Sequence, residues 1–235
     1  MMVVGFTLGI WRATRISVKR YGIEKDRVYD IALACLLSGV IGARIVYILL
    51  NPGSENWGDF IAVWQGGLSF HGGLASAMVC GYVYTRIARL SYWQVADLVA
   101  PSVAIGYAFT RIGCFLNGCC HGGPTSLPWG VSFLENGVTT PPSHPTQIYA
   151  FLASLLIFWL LTRVERMRRR AGFVFVAYVG LYSIYRFLIE YLRSGYSAEP
   201  WMFGLTEAQG VSLVVMALSA VLTLTVYRKP APAEA

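Results

Sequence analysis

The sequence predicts an all-α fold: a polytopic integral-membrane helical bundle with six clear transmembrane helices plus a short or truncated first one. Three observations carry that expectation. The chain has 235 residues, of which 56% are apolar and 13% charged, and its mean hydropathy is +0.54, a balance far from that of a soluble globular domain. Six apolar runs, Tyr29–Leu50, Leu74–Leu90, Trp93–Gly118, Gln147–Thr162, Gly172–Leu192 and Gly210–Val226, each approach the roughly 20 residues that cross about 30 Å of hydrocarbon. Basic residues occupy every second connection between those runs, which is the positive-inside pattern.

Taken in order, the run Met1–Trp11 is too short to span alone and lacks the basic start and small-residue cleavage site of a signal peptide. A truncated segment, or one that only half enters the membrane, is expected there. The connection Arg12–Arg27 holds Arg12, Arg15, Lys19, Arg20, Lys25 and Arg27. Arg86 and Arg89 lie in the turn Thr85–Tyr92, five arginines in Arg163–Arg170, and Arg228 and Lys229 in the tail. The alternate connections Asn51–Phe70, Cys119–Ser143 and Ser194–Gln209 contain no Lys or Arg. The net charge of +7 is therefore a topology signal and not a nucleic-acid patch. With no internal repeat, low-complexity stretch or soluble domain, a single membrane-embedded domain over 1–235 is expected.

Orientation then assigns depth. Tyr29–Leu50 runs outward and places Arg44 in its outer third, and His71 sits just above the outer end of Leu74–Leu90. Trp93–Gly118 carries Arg111, Cys114 and Asn117 in its outer third, and His144 stands at the outer entrance of Gln147–Thr162. Tyr182, Arg186 and Glu190 are spaced i, i+4, i+8 in Gly172–Leu192, so they share one helix face. Five segments thus deliver polar groups to the outer-leaflet level, where an ionisable residue marks a functional site by default. The competing structural reading is that Arg44 snorkels or pairs locally and that Arg186 and Glu190 form an ordinary intrahelical ion pair. Guanidinium forks match phosphate oxygens, and histidines exchange protons near neutral pH. Together they point to handling of a phospholipid headgroup. A transporter would carry polar groups through the whole span or show repeated halves, and neither pattern is present.

The motifs at these positions resemble the prolipoprotein diacylglyceryl transferase family. Gly42-Ala43-Arg44 with Tyr47, Gly66-Gly67-Leu68-Ser69-Phe70-His71-Gly72-Gly73, Asp97 and Pro101 before Arg111-Ile112-Gly113-Cys114-Phe115-Leu116-Asn117-Gly118, then Gly122, His144-Pro145-Thr146-Gln147-Ile148-Tyr149, and Tyr182 with Tyr185-Arg186-Phe187-Leu188-Ile189-Glu190 follow one another as in that family. The resemblance implies transfer of the diacylglyceryl group of phosphatidylglycerol to the lipobox cysteine of secreted prolipoproteins, the first step of bacterial lipoprotein maturation, with a thioether and glycerol phosphate as products. It implies a multi-pass protein of the cytoplasmic (inner) membrane whose site faces the outer leaflet, with phosphatidylglycerol and the prolipoprotein signal peptide as partners. Arg111 would hold the lipid phosphate, Arg186 would stabilise the leaving group, and His71 would act on the thiol. Arg44, Asn117, Gly122, His144, Tyr182 and Glu190 would bind substrate or shape the pocket. No metal and no organic cofactor is implied.

The chain departs from the family signature at Thr110, Cys114 and Cys119, where glycine, asparagine and glutamate are common, and at Ala150, where a glutamate often follows the tyrosine. A divergent, non-catalytic lipid- or lipoprotein-binding homologue is therefore the alternative reading. Cys114, Cys119, Cys120 and His121 cluster beyond the outward end of one segment. A thiol or metal site is a third reading, although their spacing matches no zinc or CxxC motif. A Cys114–Cys119 disulfide is allowed in that compartment, while Cys35 and Cys80 read as packing residues.

Overall fold

The computed structural model describes residues 1–51, 66–135, 137–167, 170–193, 200–202 and 204–227. Most of the expected outer connection after Asn51, Arg168 and Arg169 of the basic loop, residues 194–199, and the tail with Arg228 and Lys229 lie outside the described residues. Seven α-helices follow in order: α1 (Met2–Ile16), α2 (Lys25–Leu50), α3 (Phe70–Ile87), α4 (Tyr92–Leu116), α5 (Thr146–Glu165), α6 (Phe173–Glu190) and α7 (Glu207–Thr225). Two short antiparallel ribbons interrupt them, β1 (Leu134–Glu135) with β2 (Val138–Thr139) and β3 (Pro200–Met202) with β4 (Leu205–Thr206). Five helices, α2, α4, α5, α6 and α7, are long and apolar enough to cross a membrane. The membrane helical-bundle class is the one the sequence predicts.

The boundaries differ from the hydropathy reading where capping chemistry intervenes. α3 begins at Phe70 rather than Leu74 because Ser69 caps it, its hydroxyl accepting from the Gly72 N–H at 3.4 Å. α7 begins at Glu207 rather than Gly210 because Thr206 and Gln209 form a reciprocal capping box. The first helix runs well past Trp11 to Ile16 and continues as a π-helical turn, Ser17–Tyr21.

The chain forms two compact units, one comprising Met1–Arg12 and Ala96–Ala235, the other Ala13–Val95. In the second unit α2 packs along α3 through small residues. A Cβ on Gly72 would lie 2.5 Å from Cβ of Val46 and 2.6 Å from the Gly42 carbonyl, and one on Gly73 3.1 Å from the Gly39 carbonyl. Close backbone approach of this kind drives helix association where lipid supplies no hydrophobic force.

In the first unit α6 packs on α7 and α5 on α6, and Ala100, Ala104, Ile157, Leu161 and Val174 form a buried cluster. Two charged groups far apart in sequence fasten the helix ends. Asp97 of α4 accepts from the backbone N–H of Gly172 at 2.7 Å and of Phe175 at 2.8 Å. It thereby caps α6, whose N-cap Gly172 offers no side chain, and places negative charge at a helix N-terminus. Arg12 donates to Glu165 at 2.5 Å, to the Leu98 carbonyl at 3.1 Å and to the Ser102 hydroxyl at 3.4 Å. Pro101 lies in the helical stretch of α4 between those last two residues, where it removes one backbone donor. The charge at Arg12, which the sequence suggests is part of a solvated connection, is thus an internal fastening. Replacing Asp97 with Ala removes two charge-assisted bonds from buried backbone and is expected to cost about 1–3 kcal/mol per orphaned group, read as a lower unfolding midpoint in detergent.

Candidate functional site

The site residues fall into two groups, one in each unit. In the Ala13–Val95 unit, Arg44 is 1% exposed. It donates from Nη1 to the carbonyls of Gly66 at 3.2 Å and Gly67 at 3.1 Å, with its guanidinium 5.8 Å from the Tyr47 ring centre. Gly66 and Gly67 have φ of +92° and +69°, which favours glycine. A side chain on Gly67 would also collide with Arg44 and Tyr47. The turn leads through Ser69, whose N–H donates to the Ala43 carbonyl at 3.0 Å, into the first turn of α3, where His71 is exposed. Arg44 therefore shapes the glycine turn that presents His71.

In the other unit Arg111 lies in the last turns of α4, partly buried, with its guanidinium carbon 4.7 Å from the centre of the Tyr107 ring. Its Nε is buried with no hydrogen-bond partner, and among the described residues no carboxylate pairs with it. Tyr107 meets Tyr182 of α6 edge-on at 5.6 Å, and Tyr182 lies 5.9 Å from Tyr185. Tyr185 is an electrostatic neighbour of both Arg111 and Arg186. Both arginines thus border one tyrosine cluster.

Arg186 forms an ion pair with Glu190 one turn along α6. The Glu190 carboxylate also accepts from the Thr206 hydroxyl at 3.3 Å and lies 4.0 Å from Arg193. Its side chain is fully buried, whereas those of Arg186 and Arg193 are 22% and 26% exposed. The buried carboxylate thus pairs with Arg186 and lies near Arg193, and both cations remain partly exposed. The intrahelical pair anticipated from i, i+4 spacing is present and is one part of a wider network.

The segment after α4 docks just beyond the end of α6. Gly122 and His144 exchange backbone contacts, with Gly122 N–H donating to the His144 carbonyl at 2.8 Å, and Gly123 N–H donates to the Leu192 carbonyl at 2.9 Å. A Cβ on Gly122 would run into the Leu192 carbonyl and lie 2.8 Å from the Thr146 methyl and 2.9 Å from Cβ of His144, so only glycine fits. Thr146 and Gln147, at the start of α5, donate to the carbonyls of Cys120 at 2.9 Å and Cys119 at 2.8 Å. His144 is half-buried, its Nδ1 3.5 Å from the Tyr149 hydroxyl, which accepts from Trp129 at 2.8 Å. Asn117 is exposed at the end of α4. The cysteines are free thiols, so the conceivable Cys114–Cys119 bridge is not formed. Burial, then the neighbouring Cys119 thiol, pushes the Cys120 thiol up to about 11, which keeps it protonated and weakly nucleophilic at neutral pH.

The structure thus brings Arg111, Tyr182, Arg186 and Glu190 into one cluster, with Gly122 and His144 in the segment that docks on Leu192 beyond α6. Arg44 and His71 belong to the Ala13–Val95 unit. Sequence reading assigned no role to Tyr107, Tyr185, Thr206 or Gln147. The Thr206-x-x-Gln209 pattern is a capping-box signature and so carried a detectable signal, whereas nothing beside Tyr107, Tyr185 and Gln147 marked them out.

These features define a membrane-type helical bundle in which two arginines border one tyrosine cluster and one of them is paired with a carboxylate. Comparison with known proteins narrows the class. The model of the family described as prolipoprotein diacylglyceryl transferase matches residues 1–225. Proteins named phosphatidylglycerol–prolipoprotein diacylglyceryl transferase are similar along most of their length. That of Geobacillus kaustophilus is 36% identical over 228 residues, covering 92% of this chain and 83% of the relative. That of Clostridioides difficile is 37% identical over 217 residues, covering 91% and 84%. That of Geobacter sulfurreducens is 33% identical over 214 residues, covering 87% and 82%. The chain belongs to the prolipoprotein diacylglyceryl transferase family.

Two substitutions separate packing from charge at this site. Gly122→Ala is expected to displace the segment against Leu192 and His144, at a cost of about 1–3 kcal/mol from overpacking, and to lower the unfolding midpoint. Glu190→Gln is expected to leave Arg186 unaligned and to lower headgroup affinity in a lipid-binding assay, with the Thr206 contact retained.

Proposed function

We propose that this chain transfers the diacylglyceryl group of phosphatidylglycerol to the lipobox cysteine thiol of prolipoproteins. The observation that carries the proposal is that Arg111 and Arg186 both border one tyrosine cluster, with only Arg186 of the two neutralised by a carboxylate, in a chain of this family. Arg111, lacking a carboxylate partner, takes the phosphate of the lipid through its two-pronged fork. In the transfer, the substrate sulfur forms a bond to the glyceryl carbon as the carbon–oxygen bond to the phosphate breaks. The electron pair leaves with glycerol phosphate, and the thiol proton is removed by a base. Arg186, aligned by Glu190, meets the charge that grows on the leaving oxygen, the kind of preorganised electrostatic stabilisation that contributes most to such reactions. His71 is assigned to the thiol on the resemblance of its glycine-flanked motif alone, and Arg44 supports it by holding the turn. Tyr182, His144, Asn117 and Gly122 line or shape the lipid pocket. The nucleophile belongs to the substrate, so the protonated Cys120 is not required in the chemistry.

The whole chain, 1–235, acts as one membrane-embedded domain. The five apolar helices are joined by α3 as a sixth span and by α1 as a partial first one. The basic connections face the cytoplasm, and the site opens to the outer leaflet of a bacterial inner membrane. Phosphatidylglycerol then enters sideways from the leaflet, and the prolipoprotein reaches the site after export. Cys119, standing where a glutamate is common in the family, favours one second reading: a homologue that binds lipid or lipoprotein without transferring.

The test is transfer from labelled phosphatidylglycerol to a lipobox peptide by purified protein, read as a mass gain on the peptide cysteine. Arg111→Ala is expected to lower kcat/KM by about 100-fold or more, the effect of removing one oxyanion-type donor. Arg111→Lys is expected to restore only part of it, because charge returns without the fork. Full activity in Arg111→Ala would overturn the assignment, and lipid binding without transfer by the unmutated protein would favour the binding homologue.

A further inference from the structure

Three of the five cysteines meet at the end of α4. The sulfur atoms of Cys114, Cys119 and Cys120 all lie within 4.8 Å of one another, with 3.6 Å between those of Cys119 and Cys120. The arrangement follows from how the helix stops. The Cys119 N–H donates to the Cys114 carbonyl at 3.1 Å, and the Cys119 thiol faces the same carbonyl at 3.7 Å. Cys120 adopts φ of +65°, a conformation that a residue with a Cβ takes at a cost and keeps only where its surroundings hold it. The bonds from Gln147 to the Cys119 carbonyl and from Thr146 to the Cys120 carbonyl supply that hold. Neighbouring side chains in an extended strand would point apart. Here the left-handed residue keeps both thiols with Cys114.

We propose that Cys114, Cys119 and Cys120 form a three-thiolate site for one soft, thiophilic metal ion, Cu(I). Three sulfurs about 2.3 Å from a central ion in a plane stand about 4.0 Å apart, a spacing reached from the present one by shifts of less than about 1 Å. Thiolates select soft ions such as Cu(I). The cluster offers sulfur ligands alone, with no imidazole nitrogen or carboxylate among them, whereas a structural zinc site wants four ligands. On binding, each thiol gives up its proton to solvent and each sulfur donates an electron pair to the ion, so metal and thiols keep their oxidation states. The filled site carries a net charge of −2. Arg111, an electrostatic neighbour of both Cys114 and Cys120, provides a positive charge beside it. The spacing of these cysteines along the chain matches no metal motif, and only the helix end brings them together. The inference does not depend on the transferase reading.

The test uses full-length protein in detergent under anaerobic, reducing conditions, carrying Cys35→Ser and Cys80→Ser so that the three clustered thiols are the only ones. Cu(I) alone is added against a chromogenic Cu(I) chelator. One equivalent of Cu(I) per chain should be retained, with loss of at least tenfold in affinity in each of Cys114→Ser, Cys119→Ser and Cys120→Ser. A second measurement needs no substitution. In the unmutated protein Cu(I) should protect Cys114, Cys119 and Cys120 from alkylation, read peptide by peptide, while Cys35 and Cys80 react as before. Transfer of all the copper to the chelator, or retention unchanged by the three substitutions, would overturn the proposal. So would equal alkylation of the three thiols with and without Cu(I).

Discussion

The fully buried carboxylate of Glu190 sets the terms for everything around it. An ionised group in an apolar membrane interior is tolerated only when paired and hydrogen-bonded. Arg186 and Arg193 supply the charge, and Thr206 supplies the hydrogen bond. Because Thr206 is also the N-cap of α7, the same carboxylate joins the end of α6 to the start of α7. Helix pairing, the direction of Arg186 and the opening of the next helix are thus one electrostatic solution. Arg111 stands outside it, with no carboxylate of its own among the described residues. Of the two arginines at the tyrosine cluster, one is thus compensated by a carboxylate and the other is not.

The fold was legible in the sequence wherever a single variable decided it. Apolar length located α2, α4, α5, α6 and α7. Helix ends were less legible. Ser69 and Thr206 extend α3 and α7 by hydrogen bonds that a hydropathy average does not register. The π-helical continuation of α1 through Ser17–Tyr21 carries charged residues that read as loop. The two ribbons are too short to imprint an alternating pattern.

The candidate site divides along the same line. Arg111, Arg186 and Glu190 stood out because charge is rare in apolar runs. Their tyrosine neighbours did not, since an aromatic residue in a membrane helix needs no explanation. Arg44 shows the limit of arguing from charge alone, because its guanidinium holds the Gly66 and Gly67 carbonyls that shape the turn before His71. Gly122 shows the reverse. Its place in the motif was recognised, but only the Leu192 carbonyl and His144 packed against it explain why no other residue fits.

The pair formed by Arg12 and Glu165 has a consequence for biogenesis. The two residues are 153 positions apart, and chains grow at about 5–20 residues per second. Arg12 is therefore added to the growing chain roughly 8–30 s before Glu165. The contact that ties Arg12 to Glu165 can form only after that interval, once α5 has been made. The order of synthesis thus leaves the end of α1 to be fastened to α5 only after α2, α3 and α4 have been made.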